Sequence, residues 1–423
     1  MKTKLQALFL NNLFFNGSLI VLSGSVVANL GAYLYHLALG RLLGPADYSI
    51  LQSLISILYY LGLPMMVFNV VIVKYISGER SSEKIGQFVT KFFNKAFYWG
   101  LLAFIFFLLL FPLFRNFLRI ESFWLFFGLG LSAYLGVFVA LFSSSLQGIM
   151  KFKELAVFNI FSSWLKLFIS VLLVYLGFRV GGAVMGLVLS SLLVGAFGLG
   201  RIKKYIAIFK QGVAVPKNYF GNMGKYSIAV LFTNLSLISF FTVDIILARH
   251  FLPPVQAGYY AALSVLGKII FFASSPIISV MFPLVSQKHQ KGESCQKIFW
   301  LSFLLILLIS LGIGVIYFYL PELMVNLLFG PAYLGAASSL WLFAIFLTLY
   351  AICSLFLNFY LSIFQTKAIF LSVLFAIVQV VLIYFNRGSV EEIVKANILT
   401  LSLLLIGLLL FYLKNIRFKL SQL

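Results

Sequence analysis

The chain is 423 residues long, with 62% apolar, 17% aromatic and only 10% charged residues, and a mean hydropathy of +1.08. No soluble domain could hide that much apolar surface, and runs of about 20 residues with few charges are read as spanning helices. A net charge of +21 would suit nucleic acid if it lay on one soluble face. Here the basic residues lie between apolar runs, where they meet membrane lipids instead, so no nucleic-acid partner is expected.

Twelve apolar runs are predicted as spans, over 17–39, 47–76, 92–114, 122–147, 155–177, 181–200, 225–248, 257–286, 298–320, 333–364, 368–386 and 393–413. With the amino terminus placed in the cytoplasm, the outer gaps hold seven of the 31 Lys and Arg residues: Arg41, Arg115, Arg119, Arg179, Arg249, Arg387 and Lys395. Lys166 and Lys268 fall inside spans, and the other 22 lie in the inner segments. The positive-inside rule then places both termini in the cytoplasm. Lys2 and Lys4 precede an apolar stretch that runs on into the first span, so no cleavable signal peptide is expected. Cys295 and Cys353 fall in an inner loop and inside a helix, which predicts no disulfide.

The chain repeats itself weakly. Gly40-Arg41-Leu42-Leu43-Gly44-Pro45 aligns with Ala248-Arg249-His250-Phe251-Leu252-Pro253, each followed by a Tyr (Tyr48, Tyr259) that opens a long helix. Those helices carry Pro64 and Pro276 in comparable places. Two six-helix lobes of the same topology are therefore expected, residues 1–212 and 213–423, related by a pseudo-two-fold axis near the membrane normal. Such parallel repeats are a common transporter plan.

The parts of a catalyst are missing. There is no G-x-x-x-x-G-K-[ST] to cradle ATP phosphates, and His36, His250 and His289 are scattered, with neither Cys at metal-ligand spacing. Asp47 and Asp244 are the only Asp residues, and Glu391-Glu392 reads as a solvated helix start. No enzyme activity, metal or cofactor is expected.

Polar residues at membrane depth carry the functional argument. Lys166 lies about eleven residues from either end of its run, roughly 16 Å at the helical rise, beyond the reach of snorkelling. It must face water, a ligand or a partner; the bland reading is an interhelical hydrogen bond to Ser or Asn. Lys268 invites the same argument. Arg41 and Arg249 are either headgroup contacts or two guanidinium forks across a cavity, suited to bidentate phosphate binding. The offset that pairs them also pairs His36 with Asp244. Either could carry a coupling proton, and either could be a packed structural group. Asn29, Asn69, Gln147, Asn159 and Asn234 are expected to bond between helices.

Gly40-Arg41-Leu42-Leu43-Gly44-Pro45-Ala46-Asp47-Tyr48 resembles the start of the polysaccharide-biosynthesis, O-antigen-type oligosaccharide flippases of the multidrug/oligosaccharidyl-lipid/polysaccharide (MOP) exporter superfamily. Leu146-Gln147-Gly148 followed by Lys151-Phe152-Lys153 fits the same pattern, as does Leu328-Phe329-Gly330-Pro331-Ala332-Tyr333 with Ala336-Ala337. The resemblance spans most of the chain and implies an all-α polytopic fold with a V-shaped central cavity between two lobes. It also implies that an oligosaccharide on an undecaprenyl-diphosphate carrier moves from the cytoplasmic to the outer leaflet of a bacterial or archaeal plasma membrane. A polysaccharide polymerase and glycosyl transferases would be its working partners. Because the family has no compact universal motif, Arg41, Lys166, Arg249 and Lys268 stand as cargo-binding candidates on the residue argument alone.

Two other functions compete. A cation-coupled multidrug exporter of the same fold would want acids within its lobes, where this chain has essentially Asp244. An integral-membrane polysaccharide polymerase or ligase would need a sizeable outer loop, and the outer gaps are short.

Overall fold

The computed structural model describes residues 2–79, 81–206, 224–365 and 367–420. Among them there are helices and no strand. The expected lobe joint at 212 and 213, with Lys210 and Lys217, lies outside the described residues.

The helices are α1 (Lys2–Gly78), α2 (Ser82–Leu109), α3 (Phe111–Leu118), α4 (Phe123–Gly148), α5 (Phe152–Leu173) and α6 (Arg179–Ile202), followed by α7 (Gly224–Phe251) and α8 (Pro254–Gln290). Then come α9 (Gln296–Tyr319), α10 (Pro321–Phe329), α11 (Leu340–Ser362), α12 (Lys367–Phe385) and α13 (Val390–Leu420). Among the described residues ten stretches are long and apolar enough to cross a membrane. The twelve runs of the sequence are all present, because two of these stretches each contain two runs. One is α1, broken at Gly44 (φ 70°, ψ 173°), a backbone conformation open to glycine at little cost. The other is Phe152–Ile202, where a π-helical turn, Val174–Phe178, joins α5 to α6 and Gly177 sits at φ 95°.

The order α2 to α6 recurs as α9 to α13. Each set opens on a long span, followed by a short proline-headed helix that sequence reading did not set apart: α3 with Pro112, and α10 with Pro321. Eight or nine residues are too few to register as a span. The expected tenth run begins as a 3₁₀ stretch, Pro331–Ser339, before α11.

The chain divides into two compact units. One comprises residues 1–42 and 64–219; the other comprises Leu43–Leu63 and residues 220–423. In the first unit α6 packs against both α4 and α5, at separations set by glycine: a Cβ on Gly186 would stand 2.2 Å from the Ser170 hydroxyl. At the lysine-rich ends of these helices Glu154 accepts from Arg201 at 2.8 Å and from the Tyr205 hydroxyl at 3.3 Å. Ser82 at the start of α2 bonds the Tyr205 carbonyl.

In the second unit α11 is the central helix. Leu340, Phe343, Leu347, Ala351, Leu355 and Phe356 are fully buried, as expected of a helix apolar on all sides; α8, α9 and α13 surround it. The outer surfaces are apolar too: on α2, Tyr98, Trp99, Phe106 and Leu109 are largely exposed, a face suited to lipid tails.

Candidate functional site

The four cationic candidates separate by environment. In the first unit α5 carries Lys166 at half-burial. Its ammonium stands 4.6 Å from the centroid of the Tyr35 ring on α1, close enough for a cation–π contact worth about 0.5–2 kcal/mol. The two helices are held together beside it by small residues and by bonds across the helices. Ser163 Oγ donates to the Ala28 carbonyl at 2.6 Å and Trp164 Nε1 to the Val27 carbonyl at 3.1 Å. Gly31 leaves room for the Trp164 ring. The partner of Lys166 is thus an aromatic face, not the Ser or Asn that the bland reading supposed. His36 stands half-buried next along α1, edge-on to Tyr35 at 5.3 Å. Arg41 is exposed in the last turn before the Gly44 break.

The second unit uses the same residue types differently. Arg249 is only 6% exposed, and its Nη1 donates to Ser49 Oγ at 3.0 Å. Ser49 belongs to Leu43–Leu63, the stretch from the N-terminal half of the sequence that is part of this unit. That stretch is seated closely: a Cβ on Gly258 would lie 2.0 Å from the Pro45 carbonyl oxygen. Tyr48 packs edge-on against Phe329 and Tyr333, and Tyr59 against Phe241.

Lys268 on α8 is buried, its ammonium 4.1 Å from the Phe241 ring centroid. One turn along α7 from Phe241 lies Asp244, which is fully buried. Its Oδ2 accepts from the Tyr260 hydroxyl at 2.7 Å. Asn397 Nδ2 donates to the Tyr260 oxygen at 2.9 Å, Gln379 Nε2 to Asn397 Oδ1 at 2.8 Å, and Ser239 Oγ to Gln379 Oε1 at 3.4 Å. This chain of polar groups links α7, α8, α12 and α13. Sequence reading singled out Asp244 and Lys268 and missed Tyr260, Gln379 and Asn397. The available signal was an amide inside each of the last two apolar runs. Of the amides it did name, Asn234 bonds its own helix at Val230 and Asn69 Oδ1 is buried without a hydrogen-bond partner.

Residues 14–289 match the family model described as "Polysaccharide biosynthesis protein". The chain belongs to this family. No curated protein sequence matches it. Among solved structures it is similar to an inward-facing multidrug resistance MATE family transporter of the MOP superfamily, with a TM-score of 0.76 and 15% identity over 92% of this chain and 96% of that one. It is also similar to the lipid II flippase MurJ in an inward closed conformation, with a TM-score of 0.74 and 13% identity over 94% and 87%. A Vibrio cholerae MATE transporter gives 0.66 and 14% over 96% and 97%. At such identities the likeness establishes the fold: that of the MOP superfamily, as the sequence motifs implied.

Proposed function

We propose that this protein is a transporter that flips undecaprenyl-diphosphate-linked oligosaccharide from the cytoplasmic to the outer leaflet by alternating access, with both termini in the cytoplasm. Membership of the polysaccharide biosynthesis family supports the cargo class, and the chemistry of the interior supports its charge. The observation that carries the reading is Lys166: a half-buried ammonium at membrane depth that rests on a ring. Its N–H donors meet no hydrogen-bond acceptor among the described residues, which leaves them for a phosphate oxygen. Arg41, exposed and fork-shaped, would take a second oxygen pair. Arg249 and Lys268, both buried, would hold the helices of their own unit.

A multidrug exporter is the competing reading, since one structural neighbour is named a multidrug resistance transporter. An interior with two lysines and one carboxylate repels organic cations, which favours the anionic cargo. For the driving force we infer the membrane potential. An anionic head moving outward against a negative interior gains about 2.3 kcal/mol per charge at 100 mV. His36 and Asp244 would matter only if a proton is coupled.

Proteoliposomes holding a lipid diphosphate-linked oligosaccharide and an imposed potassium diffusion potential at fixed pH provide the test. The expected result is outward movement of the glycan that follows the potential and falls in Lys166→Ala. Transport of a cationic dye with no movement of the glycan would overturn the reading. Glycan movement that ignores the potential, follows a pH gradient and is abolished by Asp244→Asn would overturn the driving force.

A further inference from the structure

The direction of the hydrogen bonds around Asp244 can be read residue by residue. Asn397 Nδ2 donates both to the Ile393 carbonyl at 3.1 Å and to the Tyr260 oxygen, so the amide has one orientation and its Oδ1 can only accept. Gln379 Nε2 fills that acceptor, and Gln379 Oε1 in turn accepts from Ser239. Tyr260, having accepted from Asn397, gives its single proton to Asp244 Oδ2. Every donation runs toward Asp244, which ends the chain as a pure acceptor. Acceptance at Oδ2 suits the ionised carboxyl, which has no proton to give.

A bare carboxylate inside a membrane lobe is costly unless a positive charge accompanies it. The groups that act on it directly are Tyr260 and Lys268 from α8 and Tyr60 from Leu43–Leu63; Asn397 from α13, Gln379 from α12 and Ser239 from α7 follow through Tyr260. Lys268 is the one cation in that set. Its ammonium sits over Phe241, three residues and one turn from Asp244, within electrostatic reach of the carboxylate. The second carboxylate oxygen, Oδ1, is buried and meets no hydrogen-bond donor.

We propose that Lys268 is the resident counter-cation of an ionised Asp244, and that it masks a latent site for a small monovalent cation at Asp244 Oδ1. With Lys268 in place the site needs neither sodium nor a proton from outside. With the ammonium removed, the orphaned oxygen, Tyr260 and the amide chain remain as an oxygen-rich pocket of unit negative charge. Sodium, lithium or a proton would then complete it. The inference concerns this unit alone and does not depend on what the protein carries.

The test is thermal unfolding of the full-length protein in detergent, in sodium, lithium or choline chloride at equal ionic strength and across pH 6 to 8.5. The natural chain is expected to unfold at the same temperature in all three salts. Lys268→Gln should lower the transition by roughly 5–10 °C in choline, with much of the loss restored by sodium, lithium or lower pH. Lys268→Arg should behave as the natural chain. The double variant Asp244→Asn with Lys268→Gln should be more stable than Lys268→Gln alone and indifferent to the salt. If Lys268→Gln does not fold in choline, recovery of folding in the double variant supports the pairing, and failure to recover overturns it. A natural chain stabilised by sodium through Asp244, or a Lys268→Gln protein that responds to neither cation nor pH, would also overturn it. Flipping plays no part in this measurement, so its failure and that of the proposed transport are told apart.

Discussion

The two units each place a lysine at membrane depth over an aromatic ring, and the two lysines do opposite things. Lys166 is half-buried and meets Tyr35, with no carboxylate and no hydrogen-bond acceptor among the described residues. Lys268 is buried over Phe241 with Asp244 one turn away. The arginines divide in the same direction: Arg41 is exposed, whereas Arg249 is buried and bonded to Ser49. Position in the repeat therefore does not assign a role to a charge. Neighbours do: a carboxylate or hydroxyl turns a cation inward to hold its own unit, and a ring alone leaves it available.

The hardest test of that division is the seat of Leu43–Leu63, which Arg249 helps to hold. Gly258→Val would drive a branched side chain into the Pro45 carbonyl, 2.0 Å from where a Cβ would lie. It is expected to cost more than about 3 kcal/mol and to leave little folded protein by size-exclusion chromatography in detergent. Next comes the arginine pair. Arg249→Ala removes a buried charged donor and should destabilise by about 2–3 kcal/mol, while Arg41→Ala should change stability by no more than about 0.5 kcal/mol. Thermal unfolding of the two variants side by side measures the contrast, and equal losses would erase it.

Tyr35→Leu removes the ring beneath Lys166 and keeps the position apolar. The expected cost is about 1–2 kcal/mol, with Tyr35→Phe close to the natural protein because the ring face is retained. Lys166→Ala should cost little stability, under about 1 kcal/mol, and this is the variant expected to lose glycan flipping. Lys166→Arg should retain most of it, since positive charge is the property at issue. Proteoliposome flux normalised to folded protein is the measurement.

The division was legible in the sequence only in part. The spans, their number and the repeat followed from hydropathy and from Arg41 and Arg249, because the bilayer forces every crossing to be long, apolar and helical. The breaks at Gly44 and Gly177 did not, since a positive φ within a continuous apolar stretch leaves no mark on hydropathy. Lys166, Lys268 and Asp244 were found because charges are rare inside spans. Tyr35 and Phe241 were not: among 48 Phe and 21 Tyr, no single ring announces that a cation rests on it. Gln379 and Asn397 were missed because a hydrogen bond between distant helices is a property of packing. Arg249 was read as a headgroup contact or a fork across a cavity because nothing local in the sequence tells that Ser49, 200 residues earlier, is its partner.

The close fit of Gly186 against Ser170 has a mechanical consequence for the first unit. Sliding one helix past another requires side chains to step over their neighbours, and a shear motion is therefore easiest where the contact is loose. Between α5 and α6 a glycine accepts a hydroxyl with less room than a methyl group needs. At the lysine-rich ends Glu154 ties Arg201 and Tyr205 together. The pair is thus interlocked along its length, like a key left in its lock. The π-helical turn that joins them, with Gly177 at φ 95°, is held from both sides, so α5 and α6 would move as one rigid lever.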